Sequence, residues 1–474
     1  MNLIVIVLDT FRSDIIGPGN KLSFVRTPNL DQFAREGTVF REAYGEAQPT
    51  LQARRAFLTG KRGFPWRYNF DRRGHWHHAP GWHKIPPEHI TVPEILTNRG
   101  YLTGMIADVF HMFKPTMNYT RGFTNYRFIR GQESDNFRSG SVKSVEERLK
   151  RHVREPVDVL RHANLIQYLL NTKDRKLEED YFCAQVMQGA CQWLDETAGE
   201  APFMLWVEAF DPHEPWDPPR SYADAYFSDY NGKDFIVPGA GLERGPMSDE
   251  EIERTKGLYF GEVTFVDKWV GTLLEKIDSL GLRDDTAVMI LSDHGTQVWD
   301  KGSFGKGVSF MHPFNTGMVW MMRGPGIPAG KKIDALVQGH DVTPTMMELL
   351  GVPFQGDGVS VLPLISGKKE KLREEAVIAW SEFAEGHAPA RVSVRTDSWN
   401  FVHAAGRPEK HPELYDIKND PEEDRNVISE HPEQASRFIK SIEAVIGSPV
   451  DSPMPELCDR EISPMLKYLR KRSP

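Results

Sequence analysis

The chain opens on an unbroken apolar run, Leu3 to Leu8, rich in β-branched residues and closed by Asp9. Continuous apolarity, as opposed to alternation, predicts a strand covered on both faces. The same signature recurs at Phe203 to Val207 and at Ala287 to Leu291. Leu30 to Glu36 reads as a helix, and Val39-Phe40 begins the next extended piece. A long helix is predicted from Asp249 to about Ile277, opened by the capping box Ser248 with Glu251. A further helical run ends at Leu58-Thr59-Gly60, with Thr50 just before it. Buried strands alternating with long helices predict an α/β fold, a mostly parallel central sheet flanked by helices. After Gly367-Lys368-Lys369 the pattern loosens and the strands shorten. The chain is therefore divided into a main domain, 1–370, and a smaller C-terminal α+β subdomain, 371–474. Residues 131–176 are charged and mixed in sign, and read as a solvated insertion or the contact surface of a homo-oligomer.

Composition narrows the classes. Hydrophobic residues make up 39% and charged residues 26% of 474, ordinary for a soluble enzyme. A formal net charge of -9 argues against nucleic acid or an anionic membrane as partner. The opening run has no basic residue before it, and Asp9 ends it too early for a signal segment. It reads as a core strand, and the cytoplasm is the expected compartment. Cys183, Cys191 and Cys458 lack metal-ligand spacing, and the first two read as buried helix thiols.

In such folds chemistry gathers where strands end. Asp9 and Asp293 each end a strand, and Ser292-Asp293-His294-Gly295 adds an imidazole to the second. Thr50 stands at a helix start, where free N–H groups and the helix dipole favour a developing alkoxide. Two carboxylates, an imidazole and a hydroxyl form a mixed oxygen and nitrogen donor set, better suited to manganese or zinc than to magnesium. Glu208 and Asp217 read as structural. Gly74-His75-Trp76-His77-His78 with Trp82-His83 fits no regular ligand geometry, and its tryptophans offer stacking surface for a sugar or aryl group.

Taken together these segments resemble the sulfatase branch of the alkaline-phosphatase superfamily. Asp9-Thr10-Phe11-Arg12-Ser13-Asp14 resembles that family's opening metal motif, and Thr27 to Gly37 the stretch after it. Asp211-Pro212-His213-Glu214-Pro215 resembles its histidine loop, and Asp293-His294-Gly295 its second metal motif. Lys306 matches its active-site lysine. His340 to Thr345 and Glu413 to Pro421 resemble later segments. The resemblance implies a hydrolase of small anionic esters that carries one divalent metal, with calcium added to the candidates. It implies Asp9, Asp293, His294 and Thr50 as ligands, Thr50 as nucleophile, and Arg54 as its stabiliser. It implies Lys306 and His213 at the reacting group, with His213 protonating the departing oxygen. The Asp-His form of the second metal motif is closer to phosphonate monoester hydrolases than to sulfatases with Asp-Asn there.

The departures bear on the substrate. Where the family has Cys or Ser, then Pro, in Cys-x-Pro-x-Arg, this chain reads Thr50-Leu51-Gln52-Ala53-Arg54. Threonine cannot become formylglycine, so none is expected. Thr10 replaces a further metal carboxylate, and Ala107-Asp108-Val109-Phe110 stands where Gly-Lys-Trp-His is usual. Asp108 and His111 are thus candidate substrate-binding residues, as is His312 beyond Lys306, which would otherwise join Asp211 at a second metal. Phosphodiester or phosphonate monoester cleavage is the expected activity. Sulfate ester hydrolysis with an unusual nucleophile, or a binding protein that kept only the fold, are the alternatives.

Overall fold

A computed structural model describes residues 1–452 apart from 18–19, 67–80, 115, 155–157, 201, 239–244, 307–310, 382–389, 406–411 and 451. The histidine- and tryptophan-rich run from Gly74 to His78 and Cys458 lie outside the described residues.

The apolar run at the start becomes the strand Asn2–Leu8, at the heart of an eight-stranded sheet. Across the sheet the order is Lys331–Ile333, Thr38–Phe40, Trp320–Arg323, Thr286–Ser292, Asn2–Leu8, Phe203–Ala209, Leu102–Ala107 and Asn125–Phe128. Only Trp320–Arg323 runs against the others. Alternation along the first strand explains why it is apolar throughout. Ile4, Ile6 and Leu8 enter one core, with Val186 and Met187 of the helix Phe182–Thr197 and Val263 and Val266 of the helix Asp249–Ser279. Leu3, Val5 and Val7 enter the other, with Leu51 and Phe57 of the helix Thr50–Thr59 and Met346 of the helix Val342–Leu349. Both faces are covered, as a parallel sheet requires. Among the described residues no helix is long and apolar enough to cross a membrane. Cys183 and Cys191 are buried free thiols.

The segment 131–176 corrects the expectation of a solvated insertion. Its short helices place Leu149, Leu165, Ile166 and Leu169 in the main core. Its charges lie on the outer faces of amphipathic turns, and mixed sign alone hid the apolar stripe.

A second sheet has the order Glu413–Asp416, Trp399–Ala405, Ala390–Arg395, Ala376–Ser381 and Ala47–Gln48. The helix Pro432–Ile446 covers it, packing Phe438 and Ile442 against Val392, Val394 and Phe401. The edge strand comes from the N-terminal part: Ala47 and Gln48 pair in parallel with Ala379 and Trp380. This sheet therefore holds the backbone that leads directly into Thr50.

The long helix carries the expected capping box. Ser248 Oγ accepts from Glu251 N at 3.3 Å, and Glu251 Oε2 accepts from Ser248 N at 2.8 Å. Ser248→Ala should lower stability by about 1 kcal/mol. Urea denaturation checks this, and an unchanged midpoint would show that the cap contributes nothing.

Candidate active site

Register brings the first two site residues together. Leu8 pairs with Ser292 across parallel strands, so Asp9 and Asp293 leave the carboxyl edge side by side. Leu8 also pairs with Ala209 on its other flank, and Ala107 with Glu208. The carboxyl ends of four adjacent strands thus present Asp9, Asp293, Glu208 and Asp108 along one rim. Apolar strands with an acid at the end produce this rim wherever they lie in register.

Arg54 makes that concentration of carboxylates tenable. Its Nη1 lies 2.9 Å from Asp9 Oδ2 and also contacts Asp293 Oδ2, and its Nε is 3.0 Å from Glu208 Oε2. All four side chains are fully buried. The same Nη1 donates to the Thr50 carbonyl at 3.4 Å, so Thr50 lies one helical turn from the cluster and is bonded to its central cation. The helix Thr50–Thr59 has Pro49 before it and no side-chain cap, which leaves the positive end of its dipole for a ligand.

Asp9, Asp293 and His294 each offer a donor atom within 4.8 Å of the others. His294 Nδ1 lies 2.8 Å from the Gly295 carbonyl, which can only accept, so Nδ1 carries the hydrogen. The lone pair is then on Nε2, which is buried, makes no hydrogen bond, and lies 3.5 Å from Asp293 Oδ2. This is the orientation in which histidine binds a metal, with its other nitrogen held by a carbonyl. Gly295 permits the tight passage, because a Cβ there would meet the Phe314 carbonyl oxygen at 2.2 Å.

The carboxylates are oriented in turn. Asp293 Oδ1 accepts from Thr10 N at 3.0 Å and from His294 N at 2.8 Å. Thr10 Oγ1 donates to Asp9 Oδ1 at 2.6 Å, and the Thr10 carbonyl accepts from Tyr259 at 3.0 Å. Thr10 adopts a φ of 61°, a strained conformation for a β-branched residue, and these bonds hold it there. The residue in place of a carboxylate thus serves to aim Asp9. Burial and the neighbouring Asp293 push Asp9 well above the usual carboxylate range. Asp293 stays well below it: burial opposes its charge, but His294 and Arg54 favour it more. A further cation beside them would favour the ionised form of both carboxylates. The residues present fit a divalent metal.

On the far side of the rim stand His213, Glu214, Lys306, His111 and Glu133. His213 Nδ1 donates to the Glu214 carbonyl at 2.5 Å, and its ring stacks on Phe210 at 4.0 Å. Burial, then the charge of Lys306, lowers its pKa to about 4. With the hydrogen on Nδ1 and the ring neutral, its Nε2 is an acceptor, whereas protonating a departing oxygen needs the imidazolium. Lys306 Nζ lies 2.7 Å from Glu214 Oε2. His111 Nε2 is 3.1 Å from Glu133 Oε2, and its ring packs against Trp82 and Phe110. Glu214 and Glu133 were not singled out from the sequence. Glu214 sits within the histidine loop, where a side chain beside a functional histidine was the available signal.

Two expected substrate contacts are otherwise engaged. Asp108 is fully buried and its Oδ1 accepts from Phe210 N at 2.7 Å, bracing the histidine loop. His312 Nδ1 is 2.7 Å from Glu423 Oε2, which also accepts from Asn400 Nδ2 at 2.8 Å, while Arg395 Nη1 donates to Glu423 Oε1 at 2.6 Å. That histidine joins the two sheets. Asp211 is held separately, by Gln132 at 2.6 Å and Cys183 N at 3.2 Å. The second sheet reaches the metal-competent cluster through Trp380, whose ring is 5.0 Å from that of His294.

Burying a neutral His213 has a consequence for stability. Its pKa is about 4 in the fold against 6.5 when exposed, so between these values the unfolded chain binds the extra proton. Its contribution is complete above 6.5 and is lost as pH falls toward about 4, amounting to about 3 kcal/mol. His213→Gln should flatten the pH dependence of denaturation across this window, and a slope equal to that of the wild type would contradict it.

Comparison with known proteins agrees with this frame. The sulfatase family profile matches residues 1–352, and the profile "N-sulphoglucosamine sulphohydrolase, C-terminal" matches residues 300–445. An arylsulfatase of Clostridium perfringens is 24% identical over 463 residues, which cover 90% of each chain. A choline-sulfatase of Rhizobium meliloti is 24% identical over 464 residues, 91% of this chain and 83% of its own. In fold, the chain is similar to the phosphonate monoester hydrolase of Agrobacterium radiobacter, with a TM-score of 0.71 at 19% identity over 94% of this chain and 95% of that one. With the profile spanning most of the chain and the α/β architecture in place, the protein belongs to the sulfatase family of hydrolases, within the alkaline-phosphatase superfamily.

Proposed function

We propose that the protein is a metal-dependent hydrolase of phosphodiesters or phosphonate monoesters that uses Thr50 as its nucleophile. The observation that carries this reading is the uncapped helix N-terminus bearing Thr50, tied through Arg54 to a cluster of Asp9, Asp293 and His294 whose imidazole presents a bare Nε2.

A divalent cation held by Asp9, Asp293 and His294, with Thr50 as fourth ligand, would acidify the threonine hydroxyl and offset charge on the substrate. Thr50 Oγ1, having given its proton to water, attacks phosphorus in line, and the bond from phosphorus to the leaving oxygen breaks. The helix N-terminus faces the transferred group. Lys306, whose ammonium keeps donors beyond the one it gives to Glu214, hydrogen-bonds the departing oxygen. Water then attacks phosphorus, its proton passing to His213 Nε2, the bond to Thr50 Oγ1 breaks, and Thr50 Oγ1 regains a proton from solvent water. A neutral imidazole with its hydrogen on Nδ1 suits this second step.

The threonine favours phosphorus over sulfur. A formylglycine enzyme releases its sulfate by re-forming a carbonyl, because the hydrated aldehyde carries a second hydroxyl on the same carbon. Threonine has none, so its ester must be broken by incoming water, a route open to phosphoryl esters. The names of the arylsulfatase and choline-sulfatase relatives support the sulfate ester alternative.

Matched aryl phosphodiester and aryl sulfate substrates decide between them through kcat/KM, with Thr50→Ala inactive on both. A tenfold preference for sulfate, about 1.4 kcal/mol in barrier, would overturn the phosphoryl reading. Asp293→Ala should lose metal in equilibrium dialysis as well as turnover, and full occupancy in that variant removes the ligand assignment. Lys306→Ala should lower kcat by about 10²-fold or more. His213→Ala should still release a first equivalent of nitrophenol before stalling. A proportional slowing of both phases would deny His213 the second step.

A further inference from the structure

The charges around the reacting group are nearly matched before any substrate enters. Asp9, Asp293 and Glu208 surround the single guanidinium of Arg54, and a divalent cation would cancel what remains. Lys306 also bears on Asp9, His294 and His213. Its Nζ is 2.7 Å from Glu214 Oε2, so its charge already has a partner. Burial opposes ionisation of Glu214, but Lys306 and His213 hold its pKa at about 2. The Glu214 carbonyl also fixes the hydrogen of His213 on Nδ1. One residue thus holds two of the polar groups on this side of the site, Lys306 through its side chain and His213 through its backbone.

We propose that Glu214 is a specificity-determining residue that restricts the site to singly charged esters. By neutralising Lys306 it takes away the charge that would offset a second negative charge on the substrate. A phosphodiester, a phosphonate monoester and a sulfate monoester each carry one such charge, whereas a phosphate monoester carries two above about pH 6. The inference rests on the site described under Proposed function but not on its choice of phosphorus over sulfur.

The test uses metal-loaded enzyme and three aryl substrates with the same leaving group: phosphate monoester, phosphodiester and sulfate. At about pH 8 the monoester is a dianion. Glu214→Gln keeps the shape and an acceptor for Lys306 but removes the charge. It should raise the ratio of kcat/KM for monoester over diester roughly tenfold or more, since an uncompensated charge acts strongly at this range in a buried site. The sulfate-to-diester ratio should not move, because both are monoanions, and Glu214→Asp should keep the wild-type ratios. An equal change for all three substrates means that Glu214 is structural only and overturns the proposal.

Should turnover of Glu214→Gln be too slow, calorimetric titration with inorganic phosphate at about pH 8 takes its place. Binding roughly tenfold tighter than wild type supports the inference, and equal binding overturns it. A measurement on the wild type alone covers failure to fold. Its kcat/KM for the monoester should fall about tenfold, relative to the diester, as the monoester passes from monoanion to dianion. His213, Glu133 and Lys306, which face Glu214, act on both substrates, so the diester corrects for their own titration. Parallel profiles overturn the proposal without any variant. The wild-type sulfate-to-diester ratio, which tests the phosphoryl reading, is a separate result.

Discussion

A guanidinium buried beyond the reach of water is costly unless carboxylates surround it, and a cluster of buried carboxylates is costly without a cation. Arg54 with Asp9, Asp293 and Glu208 resolves both constraints at once. The four residues come from three strands and one helix that are far apart in sequence. Each strand end is therefore tied to the helix that carries Thr50 by charge as well as by packing. Loss of Arg54 would leave three acids facing one another, and loss of any acid would leave the cation under-paired. The arrangement is not electrically complete, since one guanidinium cannot balance three carboxylates. That deficit lies where His294 aims its bare nitrogen, so the same interaction that stabilises the core defines a place for a divalent ion.

The sheet supplies the geometry within which that interaction forms. In parallel strands, residues that follow paired positions emerge together at one edge, and Asp9 and Asp293 emerge beside each other because Leu8 pairs with Ser292. This much could be read from the sequence, since each acid ends a continuous apolar run. The capping box at Ser248 was equally legible, being a local bond between residues three apart. Thr50 and Arg54 were legible as one turn of a helix, though their family role came from the resemblance.

What could not be read was set by partners distant along the chain. Lys306 and Glu214 are a pair only because two loops meet above the sheet. His312 was expected to line the pocket, but its ligand is Glu423, in a part of the chain whose packing no local pattern reveals. The division of the chain near residue 370 is crossed by a strand pair, since Ala47 and Gln48 extend the C-terminal sheet. A two-residue strand has too little periodicity to announce itself. The amphipathic turns of 131–176 failed for another reason: abundant charge on one face concealed the apolar residues on the other.

The helix that carries Thr50 is buried along its whole length. Its backbone is held from several sides. Tyr119 donates to the Leu51 carbonyl at 2.8 Å and Thr343 to the Phe57 carbonyl at 2.7 Å, while Gln52 bonds Ser381 at 3.0 Å. The strand before it is paired with the second sheet, and Arg54 anchors its first turn to the carboxylate rim. On a backbone held this firmly, the attack proposed for Thr50 would need little reorganisation, the orienting entropy having been met during folding.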